Sequence, residues 1–248
     1  MTFARRIAGA LILLVVWQAL SGFGLLNAAL FPAPSEVIVS LAQLCGPRSI
    51  GADLLATINR LVLSMLWAAC IAIPAGLVMG AVERIEEYCG GIVDFFRSLP
   101  ATAMFPVFML FFGLGETAKI GVTAFSAGLV LLVGTAHGVR QIRPLRREAA
   151  EACGARNGRL FFHVILPAAA PEISIALRTA VSIALIIVIV TEMFAGTSSG
   201  LGWRIYAARE SFRVPELYAL LVITGSIGAA ISGILKHLES RFIHWSGQ

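Results

Sequence analysis

Charge is what this chain has least of. Asp, Glu, Lys and Arg make up 13% of the 248 residues, and the only lysines are Lys119 and Lys236. Neither follows a glycine, so the Gly-Lys-Ser/Thr cradle of a P-loop is excluded and any nucleotide hydrolysis belongs to another chain. The cysteines (45, 70, 89, 153) and histidines (137, 163, 237, 244) are scattered, without metal-ligand spacing. No metal site is expected, and the cysteines read as small buried apolar residues. Carboxylates are nearly missing from the long apolar runs, Glu192 alone lying near the end of one. Proton- and sodium-driven carriers place several ionisable groups along their path, so a secondary transporter is disfavoured. Nothing resembles a channel filter.

What is present is hydrocarbon. With 58% hydrophobic residues and a mean hydropathy of +0.87, this is an all-α polytopic membrane protein. The net charge of +5 does not point to nucleic acid, because the basic residues flank apolar runs instead of forming a face with interleaved aromatics. Each crossing needs about 20 apolar residues. Gaps between charges predict six spans, at 7–26, 61–82, 98–115, 120–139, 179–194 and 217–235, in a single transmembrane domain covering 1–248. The first begins like a signal peptide, but it is too long and lacks a small-x-small cleavage site, so it is taken as a retained helix.

Phe31-Pro32-Ala33-Pro34-Ser35-Glu36-Val37 breaks the chain and restarts a helix at Ser35. Val37, Ile38, Leu41, Leu44 and Cys45 then share a face, which predicts a helix along the membrane surface. Gly76-x-x-x-Gly80 marks a close helix approach, within the chain or to a second copy. Pro100 and Pro106 free backbone carbonyls around the third span. The six spans put 13 basic residues on the side of both termini and 6 on the other, so both termini are expected in the cytoplasm.

The most informative stretch is 140–171, with Arg140, Arg143, Arg146, Arg147, Arg156 and Arg159 between two apolar runs. A short helix opens at Pro144, with Leu145, Ala149, Ala152 and Cys153 on one face. Gly154 is expected to turn the chain at positive φ. Asn157 then caps a second short helix carrying Leu160, Phe161 and Val164, which Leu166-Pro167 ends. Two small helices, basic on one side and apolar on the other, suit a partner's groove.

Glu148-Ala149-Ala150, Gly154 and Val164-Ile165-Leu166-Pro167, at this spacing, resemble the EAA loop of ABC-importer permeases. Phe-Pro-x-Pro-Ser-x-Val at 31–37 resembles the periplasmic mouth segment of taurine, aliphatic-sulfonate and nitrate importer permeases. The Pro100-x5-Pro106 spacing, Gly113-Leu114-Gly115-Glu116-x-x-Lys119-Ile120, Glu192-Met193 with Gly200-Leu201-Gly202, and Arg241-x-x-x-Trp245 are similar to the same group. Ser182–Val190 departs from it, being plain aliphatic where relatives often carry a tryptophan.

The resemblance implies a type I ABC importer (MetI-like) permease fold in the bacterial inner membrane. It implies two ATP-binding subunits that carry ATP and Mg, a second permease copy, and a periplasmic solute-binding protein. No cofactor is expected on this chain, which would itself be no enzyme. The loop would couple to the ATPase through Glu148, Ala149, Ala150, Gly154, Arg156, Leu166 and Pro167. Pro100, Met104, Pro106, Glu192, Gly200 and Gly202 are candidates for the periplasmic gate or path, and the cargo would be a small organosulfur or nitrate-like anion.

Some residues keep two readings. Gly196-Thr197-Ser198-Ser199-Gly200 fits the Gly-x-Ser-x-Gly of a serine hydrolase, making an intramembrane protease one alternative and a membrane scaffold another. Glu192 is expected to bond backbone amides of the following glycine loop and hold a gate closed. Glu116 and Lys119 read as a solvated local pair. Arg204, Arg209 and Arg213 could attract an anion, dock an acidic surface, or simply anchor the chain at the interface.

Overall fold

The computed structural model describes residues 3–27, 29–46, 49–142, 148–150, 152–155, 158–194 and 198–242. Among these the chain is helical, with no strand. In hydrocarbon every backbone N–H and C=O must bond within the protein, and a helix does this locally.

The helices are α1 (Phe3–Gly22), α2 (Pro34–Cys45), α3 (Gly51–Ala81), α4 (Glu83–Ser98), α5 (Phe105–Phe112) and α6 (Glu116–Arg140). After residue 157 come α7 (Gly158–Phe194), α8 (Leu201–Glu210) and α9 (Val214–Phe242). Four of them (α3, α6, α7, α9) are long and apolar enough to cross a membrane. A fifth crossing is formed if α4 and α5, which meet at a 93° bend, are one broken span. Two compact units share the chain: Met1–Thr57 with Glu192–Ile227, and Ile58–Thr191 with Gly228–Gln248.

In the first unit, α1 and α2 are joined by Gln18, whose Oε1 accepts from the Ser35 N–H at 3.2 Å. Pro34 occupies the first turn of α2, and the Glu36 carboxylate accepts from the Ala33 N–H at 3.2 Å, so the helix starts one residue before Ser35. Val37 and Leu44 are buried while Ile38 and Cys45 face outward, so only part of the expected apolar face is covered.

The second unit is built on α6. A Cβ added to Gly76 would meet the Leu132 carbonyl at 2.5 Å, and one on Gly80 the Ala136 carbonyl at 2.6 Å. The glycine pair of α3 is therefore filled by α6 of the same chain. On another face of α6, Gly134 lies against Ala176 and Gly138 against Ala169 and Glu172 of α7. Leu77, Val139 and Ala169 form a core where these helices meet, with Phe161, Ile165 and Leu166 packed against it. In lipid, such close packing replaces the missing hydrophobic drive between helices.

Two expectations are corrected here. Leu166-Pro167 does not end a short helix, because the backbone continues through a π-turn at Phe161–Ile165 into α7. The wider turn relieves the i−4 carbonyl contact that Pro167 would otherwise break. The four cysteines are exposed instead of buried: Cys70 lies on the long apolar helix α3, whose outer face is lipid-exposed in a membrane, and Cys153 lies on the bare turn of the basic segment.

Gly80→Ala should lower unfolding stability in detergent by about 1–3 kcal/mol, the cost of overpacking a tight contact. Gly225→Ala, where nothing lies within 4 Å, should not destabilise. Equal midpoints for the two variants would contradict the α3–α6 packing.

Candidate functional site

Three constellations carry the chemistry. The first is the basic segment itself. A helical turn covers 148–150 and 152, and Gly154 ends it at φ 84. The Ala155 N–H donates to the Ala150 carbonyl at 2.9 Å, the six-to-one bond of a Schellman stop. Glu148, Ala149, Ala152 and Cys153 are exposed and Ala150 is half-buried. Leu166 and Pro167 are half-buried, and Leu166 joins the core of α3, α6 and α7. One end of the segment is thus rooted while the other is bare. Cys153, Gly154, Ala155, Arg159, His163 and Val164 line a recess of about 280 Å³. Arg156 lies outside the described residues, as do Arg143, Arg146, Arg147 and Asn157.

The second constellation, in the first unit, grips the start of α8. The Glu192 side chain is fully buried. One of its oxygens accepts from the Gly202 N–H at 2.8 Å, and Thr57 Oγ1 donates to the carboxylate at 2.9 Å. The same hydroxyl oxygen accepts from the Leu201 N–H at 2.9 Å, while Asp53 Oδ1 accepts from the Gly200 N–H at 2.9 Å. Gly200 itself sits at φ 115. Three amides at a helix start, where no intrahelical partner exists, are held by two carboxylates and a hydroxyl. The dipole of α8 favours negative charge at that end. The expected bond from Glu192 to the glycine loop is therefore present, at Gly202. Asp53 also pairs with Arg204 at 3.5 Å, Arg213 with Glu216 at 2.6 Å, and Arg209 with Glu210 at 4.0 Å. Ser198 is exposed, and Gly196 and Thr197 lie outside the described residues.

The third lies in the second unit. Arg60 grips both oxygens of Glu116, at 2.6 and 2.8 Å, and Lys119 Nζ donates to the same carboxylate at 2.8 Å. Glu116 and Lys119 do pair, but not as a solvated turn: the Lys119 side chain is 1% exposed against 56% for Glu116. Cations with so little solvent contact need a fixed acceptor, and the bidentate guanidinium fork supplies the best geometry.

Sequence reasoning missed Asp53, Thr57 and Arg60. With Ser64 they fall at i, i+4, i+7 and i+11, one polar stripe along the largely apolar α3. That periodicity was the available signal. Pro100, Met104 and Pro106 lie at the break between α4 and α5, Pro100 as N-cap of the 3₁₀ turn Ala101–Met104 and Pro106 in the first turn of α5.

Glu192→Ala should speed amide exchange at Gly202 and lower the unfolding midpoint, by about 1–3 kcal/mol for each donor left unpaired. Glu192→Gln, which keeps an acceptor oxygen, should lose less. Unchanged exchange at Gly202 in the alanine variant would refute the grip.

Residues 72–244 match the family of binding-protein-dependent transport system inner membrane components. The taurine transport system permease protein TauC of Escherichia coli is 27% identical over 96% of this chain and 88% of its own. SsuC of Bacillus subtilis, named for aliphatic sulfonates transport, is 27% identical over 94% and 84%. The nitrate import permease protein NrtB of Synechocystis is 25% identical over 92% and 85%. The crystal structure of an amino acid ABC transporter with histidines superposes with a TM-score of 0.59 at 19% identity, over 77% of this chain and 91% of its own. That likeness gives the fold, an all-α type I ABC importer permease fold, and the family implies ATP-binding and substrate-binding partners. The chain belongs to the binding-protein-dependent transport system inner membrane components, the permease subunits of ABC importers, whose ATPase activity lies on a separate chain.

Proposed function

We propose that this chain is half of the transmembrane path of an importer for small anions of the sulfonate, taurine or nitrate class, opened and closed by ATP hydrolysis on partner subunits. The names of the relatives support the cargo class. The segment 148–167 carries the coupling reading, since its outer turn is bare and its inner end is built into the core of α3, α6 and α7. A partner gripping the bare turn would move the helices in which Leu166 is embedded. The full assembly pairs two permease copies with two ATP-binding subunits, which hold ATP and Mg, and receives cargo from a periplasmic binding protein. With both termini in the cytoplasm the basic segment would lie beside the ATPase, and the excess of Arg in 140–178 supports that orientation. The polar grip on α8 acts as an outer gate element, because the amides at Gly200–Gly202 are released only if Glu192, Thr57 and Asp53 let go.

Alternating access then needs a partner that binds the segment more tightly in one state than in the other. Gly154→Pro should insert normally, yet uncouple hydrolysis from uptake, because proline cannot adopt the φ of 84 found at this stop. Uptake in reconstituted importer should fall at least tenfold while ATP hydrolysis continues, and unimpaired uptake would remove the segment from the mechanism. A membrane-impermeant maleimide should label Cys153 in inside-out vesicles and not in spheroplasts. Labelling of Cys153 itself in spheroplasts, read in a variant whose other three cysteines are alanine, would reverse the topology and end the transporter reading.

A further inference from the structure

Between α4 and α5 the backbone turns through 93°. A broken helix at membrane depth is tolerated where it lines a protein cavity, and such breaks are where transporters bind solutes. A cavity of about 350 Å³ lies at this break, lined by Phe96, Arg97, Met104, Phe125, Ser126 and Ile183 among others. Its depth follows from the helix rise. Ser126 is roughly 15 Å from the start of α6, a helix roughly 37 Å long. Ile183 is roughly 16 Å before the end of α7. The cavity therefore sits near the middle of the membrane-crossing helices.

Arg97 is out of place there unless it has work to do. An arginine at this depth is costly, and by default it marks a path or a ligand. Its guanidinium has five donors. Its one described polar partner is Asp94, at 3.4 Å and itself 73% exposed, while the Arg97 side chain is 47% exposed. The contrast with Arg60, buried and locked on both oxygens of Glu116, separates a structural arginine from one with donors to spare.

We propose that this cavity is the solute site of the permease, and that it takes a small organic oxyanion with Arg97 as its ligand. The inference rests on the anion-importer reading above. Two oxygens of a sulfonate head match the guanidinium fork. A short aliphatic body packs on Phe96, Met104, Phe125 and Ile183. A bare inorganic oxyanion would leave those walls unused, and the volume falls in the range of small-molecule pockets, so an alkanesulfonate is the expected cargo and nitrate a poor one.

The test is uptake of labelled ethanesulfonate by the complete reconstituted importer, with taurine, butyrate, nitrate and neutral ethyl methyl sulfone supplied on the cytoplasmic side as competitors that reach the permease without passing through the binding protein. Wild type should carry ethanesulfonate and be inhibited weakly by nitrate and the sulfone. Arg97→Gln should cut uptake roughly tenfold or more, the worth of a charge-assisted bond, and lose the preference for the sulfonate over the neutral sulfone. A purely structural role for Arg97 would leave that preference intact. Arg97→Lys should restore part of it. Ile183→Trp, which fills the cavity without touching any charge, should also block uptake, and it keeps the proposal testable if the arginine variants do not assemble. Should butyrate compete as well as taurine, the site is a general carboxylate and sulfonate pocket and the sulfonate assignment falls. Wild-type uptake unaltered by Arg97→Gln and Ile183→Trp would overturn the site and leave the importer reading standing. Failure of wild type to carry ethanesulfonate, taurine or nitrate would overturn both.

Discussion

Hydrocarbon offers no hydrogen bonds, and this constraint governs every polar group in the membrane-crossing part of the chain. Each must find a partner in protein or remain costly. Two hydroxyls of α6 bond back to the preceding turn, Thr123 to the Lys119 carbonyl and Ser126 to that of Val122, while the buried Thr135 hydroxyl is left without a partner among the described residues. Charges need more. Glu192 is satisfied by an amide and a hydroxyl, while Arg60 and Lys119 converge on one carboxylate. Each group so held becomes a fixed joint between elements far apart in sequence, Asp53 and Thr57 to the start of α8, Arg60 to the start of α6. The structure is specified by its few polar residues to a degree its composition hides.

Between those joints the helices lie against one another through small residues. Gly76 and Gly80 admit the backbone of α6, while Gly134 and Gly138 admit α7. Contacts at backbone distance leave no compliant side chain to absorb a displacement, so α3, α6 and the base of α7 move together. The basic segment is tied into this rigid block through Phe161, Ile165 and Leu166. A displacement that reaches Phe161–Leu166 therefore passes directly into the packed helices.

Much of this was legible in the residues. The long apolar runs, the glycine stop at 154, the close approach at Gly76 and Gly80 and the bond from Glu192 to its glycine loop all follow from local chemistry. The chemistry of those positions admits few alternatives: Gly154 at φ 84 is where the helix must turn, and a buried carboxylate beside free amides will take them. What escaped was three-dimensional convergence. Arg60 reads as a boundary charge until α6 brings Glu116 to it, and Arg97 reads the same way until the chain bends by 93°. The continuation through Pro167 was also hidden, because proline rules assume an α-turn and the chain uses a π-turn.

That π-turn absorbs an extra residue without turning the helix out of phase. Five residues fill a stretch of winding that about four would fill in an α-helix, so the side chains on either side of Phe161–Ile165 keep nearly the angular relation of an unbroken helix. Deleting one residue there would leave the faces of α7 aligned, yet it would press the ring of Pro167 back toward a carbonyl of the preceding turn. The insertion is therefore a local allowance for proline, by which a long apolar helix carries that residue in its interior and stays continuous.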